Sequence, residues 1–410
     1  MTTTLEKRER IACIDRMRGL AVFSMIFFQL MERFDSLAFL SRIADHDLEH
    51  GIILMPGLAL ADIGAPAFFF VIAMNYIPSF RSRMEKDGRR AAYAHFVLRY
   101  LAILGFGCCI RTIEIVFDGA RDALPMICLA GTVVALLTAI GTLLPKLRIG
   151  SKSVSAVSKV ALRYILAILG LTNLLVSIWN LRSLFWLGTN SNYWGVLQSI
   201  GGAGLLMLLF AEAGTTVRAF ASAVTFGLFT FIHQLPGGFM EKIDEEIQGG
   251  VIGILAWGSM MMAFTVMADL YYRDRAQKQQ GKRGLAANSY LIGLAVTILL
   301  GVFGFANFVI NKGSVSPGYV LVNLPISALI FWLCSLTDQW QPKSHFLLWW
   351  GSSPIIMYLL QYIFHDVILS VIGGIREISF VPALLYVLVA TAIISWIAWL
   401  LYKNKRMVRV

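Results

Sequence analysis

The sequence predicts an all-α fold, a polytopic membrane helix bundle of about 10 to 12 transmembrane helices with both termini on the cytoplasmic side. Three observations predict it. Of the 410 residues, 58% are hydrophobic and only 14% charged, and the mean hydropathy is +0.71, far from the balance of an ordinary soluble domain. Apolar runs recur from one end of the chain to the other, so residues 1–410 read as a single transmembrane domain between a cytoplasmic segment, 1–17, and a cytoplasmic tail, 403–410. The basic residues, finally, fall in short clusters between those runs.

A helix needs about 20 apolar residues to span a bilayer. On that criterion spans lie near 18–34, 57–78, 95–116, 124–145, 160–181, 193–212, 217–234, 249–271, 287–310, 318–336, 346–370 and 381–402, one of which is open to a re-entrant reading. Lys7, Arg8, Arg10, Arg16 and Arg18 precede the first, and Arg81, Arg83, Lys86, Arg89 and Arg90 follow the second. Further basic clusters follow the fourth, eighth and twelfth. The intervening connections 35–56, 117–123, 235–248 and 311–317 carry few basic residues, and positive-inside orientation then places both ends in the cytoplasm. This arrangement accounts for the net charge of +11 as topology and excludes a nucleic-acid partner. The five cysteines lack metal-ligand spacing and read as buried thiols, so no metal is expected.

Polar groups within spans are costly and mark candidate sites. In the first span, IDRMRGLAVFSMIFFQL at 14–30, Arg18 and Gln29 are eleven residues apart. At 100° per residue they share one helix face, separated by roughly 16 Å of rise. Gly19 beside the arginine lets another backbone approach. Such a face suits a long anionic ligand; alternatively Arg18 snorkels to headgroups and Gln29 bonds a neighbouring helix.

The second region is HGIILMPGLALADIGAPAFFFVIAM, 50–74. Pro56-Gly57 should begin the helix, which places Asp62 about a turn and a half inside it. His50 precedes the helix, and His46 lies in the same loop. A carboxylate near an imidazole holds one tautomer and supports a general base; otherwise Asp62 pairs with an arginine such as Arg111. On the third span Arg111 and Glu114 are spaced i,i+3 and either pair or line a substrate pocket. In WWGSSPIIMYLLQYIFHDVIL, 349–369, Tyr358, Gln361 and His365 form a polar stripe that bonds a neighbouring helix or faces a site.

RIACIDRMRGLAVFSMI at 10–26 resembles the first-span signature of the transmembrane acyltransferase superfamily, which includes the acyltransferase-three proteins and bacterial relatives of heparan-alpha-glucosaminide N-acetyltransferase. GLALADIGAPAFFF at 57–70 resembles the second-span pattern of the latter branch, and WGVLQSIG at 194–201 and GSSPIIMYLL at 351–360 resemble it more loosely. The resemblance implies an enzyme that passes an acetyl or other short acyl group from cytoplasmic acyl-CoA, in the first place acetyl-CoA, to an extracytoplasmic glycan, glycolipid or cell-wall acceptor. It implies His50, or His46, as base or acyl-accepting residue, Asp62 as its orienting partner, and Arg18, Gly19 and Gln29 along the CoA. Arg111, Glu114, Tyr358, Gln361 and His365 would face the acceptor. Where those branches carry histidine or asparagine this chain has Gln29, which can position or donate but not abstract a proton. The expected setting is a multi-pass protein of the cytoplasmic membrane, with lipid, acyl-CoA and acceptor as partners and a homo-oligomer left open. A transporter or flippase is one competing class, because twelve spans with both ends inside also suit it; a catalytically inactive acyltransferase relative serving as a partner subunit, consistent with Gln29, is another.

Overall fold

A computed structural model describes residues 11–31, 34–37, 58, 60–117, 123–142, 148–149, 152–186, 194–235, 247–281, 284, 288–337, 346–364 and 378–404. Thirteen α-helices make up almost all of this: α1 Ala12–Met31, α2 Gly64–Asp87, α3 Arg89–Phe117, α4 Ala123–Thr142, α5 Val154–Trp186, α6 Val196–Leu208 and α7 Thr215–His233. They continue as α8 Gly253–Gln279, α9 Ser289–Asn307, α10 Pro317–Leu336, α11 Phe346–Ser352, α12 Pro354–Tyr362 and α13 Phe380–Lys403. Single 3-10 turns cover Asp35–Leu37, Leu60–Ile63 and Ile247–Gly249, and a two-residue antiparallel pair, Arg148–Ile149 with Lys152–Ser153, precedes α5. Seven helices, α3, α5, α7, α8, α9, α10 and α13, are long and apolar enough to cross a membrane. Their outer faces carry side chains such as Leu299 (70% exposed), Val302 (62%) and Val381 (71%). Contiguous apolar surface of this kind is at home in lipid and a liability in water. The chain is thus an all-α, multi-pass membrane protein.

Three elements differ from the sequence reading. The second helix starts at Gly64 instead of Gly57, so Asp62 sits in the 3-10 turn before α2, not inside a helix. Pro66 explains the shift, because proline is tolerated in the first turn, where its missing N–H costs nothing. The expected span 193–212 contains only thirteen helical residues, α6, about 20 Å long and too short for a hydrocarbon core of about 30 Å. The expected span 346–370 is broken at Ser353, whose φ/ψ of −143°/59° is not helical and which is followed by Pro354 at the first position of α12.

Contacts divide the chain into two compact units, Met1–Ile72 with Pro325–Arg409, and Ala73–Leu324. In the first, α1 packs on α11, α12 and α13 through Val22, Ile26, Leu30, Trp350, Met357, Val387 and Ile394. Lipid tails are as apolar as these side chains, so close van der Waals fit and hydrogen bonds hold such helices together. Closest of all is the backbone contact of α1 with α11: a Cβ on Gly19 would lie 1.8 Å from the Leu347 carbonyl oxygen, and one on Gly351 2.2 Å from that of Asp15. In the second unit α3 meets α5 in the same way, with Gly105 against Leu166 O (1.8 Å) and Gly170 against Leu101 O (2.0 Å). Polar ties complete this unit. Arg218 of α7, fully buried, donates to Asp269 of α8, which also accepts from Thr215 Oγ1 at 2.5 Å. Asp274 of α8 accepts the Ser289 and Tyr290 backbone N–H groups at 2.9 and 2.7 Å, supplying the start of α9 with acceptors for donors that have no partner within the helix.

Two expected outcomes follow from this packing. Gly19→Ala and Gly105→Ala drive a methyl into a neighbouring backbone and should destabilise the protein by about 1–3 kcal/mol in detergent unfolding, whereas Gly227→Ala, with nothing within 4 Å of the added carbon, should be neutral or stabilising by up to about 1 kcal/mol. Asp274→Ala should cost about 1 kcal/mol, read as a lowered unfolding midpoint.

Candidate functional site

The first unit gathers Arg18, Gly19, Gln29, Asp62, Tyr358 and Gln361 around α1. Its geometry follows from the break at Ser353. Phe346 and Trp350 pack on the Phe23 ring, with centroids 5.0 and 5.2 Å away, and Leu347 and Gly351 abut Gly19 and Asp15. Hence α11 runs antiparallel to α1, toward its charged start. Yet Gln361 of α12 donates through Nε2 to Gln29 Oε1, ten residues further along α1 than Gly19. The chain therefore turns back at Ser353, and α11 and α12 form a re-entrant pair with its tip at the arginine end of α1. Tyr386 of α13 donates to the Phe364 carbonyl at 2.5 Å and its ring meets Phe34 at 5.5 Å, which places the far end of α12 beside the far end of α1.

At the tip, the guanidinium of Arg18 donates to Asp15 Oδ1 at 2.9 Å and to the Gly351 carbonyl, in the last turn of α11, at 3.3 Å. Arg16 is buried and donates to the carbonyl and the hydroxyl of Thr337, both at 2.8 Å, just past the end of α10. Both arginines thus close helix C-termini, where unpaired carbonyls and the helix dipole favour a cation. Arg18 keeps about a quarter of its side chain exposed (25%), against 8% for Asp15, so it alone of the two arginines can reach a further anion. The Ser353 hydroxyl at the turn is buried and makes no hydrogen bond among the described residues.

Deeper along α1 sits the amide pair. Gln361 is 2% exposed and its Oε1 finds no partner among the described residues, while Gln29 is half-buried. Asp62 is 1% exposed. Two residues on, a Cβ at Gly64 would lie 2.4 Å from Met25 Cγ and 3.4 Å from the Ala21 oxygen, so the Asp62 turn lies against the middle of α1. Tyr358, half-buried, precedes Gln361 by three residues on α12. One helix thus lines up a guanidinium, a carboxylate-bearing turn and a carboxamide pair, groups that hold an extended ligand with a charged end and orient a reacting carbonyl.

Other expected residues fall elsewhere. Arg111 belongs to the second unit, half-buried on α3, with its stem beside Gly195 and near the buried Gln198. Glu114 follows it on the same helix, its side chain outside the described residues, and His46, His50 and His365 also lie outside them. The sequence reading missed Asp15 as the partner of Arg18 and Arg16 as a helix-end ligand, having taken the arginine only as a topology signal. It also missed the reversal, for which Ser353-Pro354 was the available cue.

Removing one amide of the Gln29–Gln361 pair strands the other. Gln29→Leu and Gln361→Leu should each destabilise the protein, and the double variant should lose less than their sum, with a coupling of roughly 0.5–1.7 kcal/mol in a double-mutant cycle of unfolding midpoints. Additive losses would mean the two amides do not bond. No protein-family profile and no curated protein matches this chain.

Proposed function

We propose that the protein is a membrane-embedded acyltransferase of the cytoplasmic membrane, moving an acetyl or other short acyl group from cytoplasmic acyl-CoA to an extracytoplasmic glycan, glycolipid or cell-wall acceptor. The observation that carries this reading is the polar series along α1: part-exposed Arg18 at the charged end, buried Asp62 against the middle, and Gln29 bonded to Gln361 at depth. The motif resemblance at 10–26 and 57–70 supplies the reaction class.

In this scheme Arg18 takes a CoA phosphate and the pantetheine arm follows α1 toward Gln29. An imidazole, His50 or His46, removes the proton from the acceptor hydroxyl or amine as that atom attacks the thioester carbonyl, and the Gln29 carboxamide donates to the developing oxyanion. Collapse breaks the C–S bond, the CoA thiolate leaves, and the imidazolium returns the proton to it. Asp62 orients the imidazole and stabilises its charged form.

A transporter or flippase is the second reading, favoured by one feature, the helix broken at Ser353, since discontinuous helices build transporter sites. Thermal unfolding of the purified protein separates the two. Acetyl-CoA at 100 times its dissociation constant should stabilise the native state by about 2.7 kcal/mol. 3′-Dephospho-CoA should do so less, and Arg18→Gln should erase that difference. His50→Ala, or His46→Ala, should abolish acetyl transfer while keeping the acetyl-CoA stabilisation. Absence of any response to acetyl-CoA would sink the acyltransferase reading.

A further inference from the structure

We propose that Arg83, Arg99 and Arg163 form an interfacial site for the phosphate headgroup of an anionic phospholipid. The three guanidinium groups come from α2, α3 and α5 of the second unit: Arg163 bonds His95, Arg99 is one turn along α3 from it, and Arg83 is one turn along α2 from Phe80, whose ring meets that of Phe96 at 5.3 Å. Arg163 Nη2 lies 3.0 Å from His95 Nδ1 and donates to the His95 carbonyl at 3.0 Å. A guanidinium has no acceptor, so His95 Nδ1 must accept. The imidazole is therefore neutral, with its proton on Nε2, and adds no positive charge but offers one more N–H donor.

Cations dominate this cluster. Asp87 is engaged with Arg83 at 2.8 Å. Among the described residues no carboxylate pairs with Arg99 or Arg163, so their two positive charges are left to be matched by something else. Arg99 repeats the point at atomic scale, since its Nε is buried without a hydrogen-bond partner among the described residues while its guanidinium lies 5.8 Å from the Tyr100 ring. Gathered positive charge attracts an anion, and planar guanidinium forks match the oxygens of a phosphate.

What makes the anion a lipid is the surface beside it. Next to Arg163 a stripe of exposed apolar side chains begins on α5 with Tyr164, Ile168, Leu171, Leu175 and Ile178. Their spacing of four, three, four and three residues keeps them on one helix face, a track for acyl chains running away from the headgroup. Val97 of α3 is exposed too, two residues from His95. Arg81, Lys86, Arg89 and Arg90 lie in the same stretch of sequence, the basic side of the chain that faces the anionic cytoplasmic leaflet. The site uses none of the residues of the proposed transfer reaction.

The test is a titration of the purified full-length protein in neutral detergent with phosphatidylglycerol, phosphatidylcholine or inorganic phosphate, read as apparent unfolding midpoint and as lipid retained in native mass spectra. Phosphatidylglycerol should stabilise and be retained, and the other two should not. Arg99→Gln and Arg163→Gln should each weaken the apparent affinity about fivefold, the worth of one arginine at a charged headgroup. Arg89→Gln, whose side chain is held by Glu212 at 2.7 Å, should leave it unchanged. Should Arg163→Gln fail to fold, Arg163→Lys keeps the charge, loses the fork and should still weaken retention. Equal retention by the wild type and the Arg99 and Arg163 variants would overturn the proposal, as would equal stabilisation by inorganic phosphate, which would make this a soluble-anion site.

Discussion

The contact between the backbones of α1 and α11 governs the first unit. Between helices in a bilayer there is no water to expel, so attraction depends on how near the main chains can come. Gly19 and Gly351 remove the two Cβ atoms that would hold them apart. With that face closed, Trp350 falls against Phe23 and donates to Ser395 of α13 at 3.2 Å, joining three helices at one level. The end of α11 is then fixed beside Asp15 and Arg18, and the direction of α12 follows from it. The bond of Arg18 to α11 and the reversal into α12 are placed by a contact made of glycine.

Charge at the membrane end is organised by the same geometry. An arginine at the start of a span ordinarily reaches outward to headgroups. Here Arg16 turns to Thr337, past the end of α10, and Arg18 to Gly351, in the last turn of α11. Each meets carbonyls that the helix itself leaves without donors. Asp15 then tempers the charge of Arg18 without burying it. The second unit meets the equivalent problem with a carboxylate, Asp274 at the start of α9, where backbone donors are in surplus, while Asp269 matches the buried charge of Arg218.

How much of this was legible in the sequence depends on the kind of signal. Long apolar runs gave most helices of the second unit almost directly, because burial in lipid needs nothing but length and hydropathy: 217–234 and 287–310 became Thr215–His233 and Ser289–Asn307. Hydropathy is blind to breaks, however. The run 346–370 is apolar through the turn at Ser353, and the run 193–212 is apolar past the end of α6, so both read as spans. The start of α2 was misplaced because Pro56 and Pro66 are both acceptable helix-opening residues, and local chemistry alone could not choose between them. For the site, the shared face of Arg18 and Gln29 was legible from the helical repeat. Of their partners, Asp15 stands one turn before Arg18 on the same helix, whereas Gly351 and Gln361 are brought there by tertiary packing.

The reversal also carries a cost that its packing does not explain. Ser353 and Gln361 bury a hydroxyl and a carbonyl oxygen that find no partner among the described residues, and each such group costs about 1–3 kcal/mol when shut away from water. Alanine at position 353 would leave no hydroxyl to bury at the turn. The α1 amide at Gln29 answers only one end of Gln361. Polar groups held at such expense on the two arms of one re-entrant pair, beside a part-exposed guanidinium, lower the free energy only when something polar reaches them. That is the physical reason for looking to the turn between α11 and α12, and to α12 itself, for groups of the proposed transfer reaction.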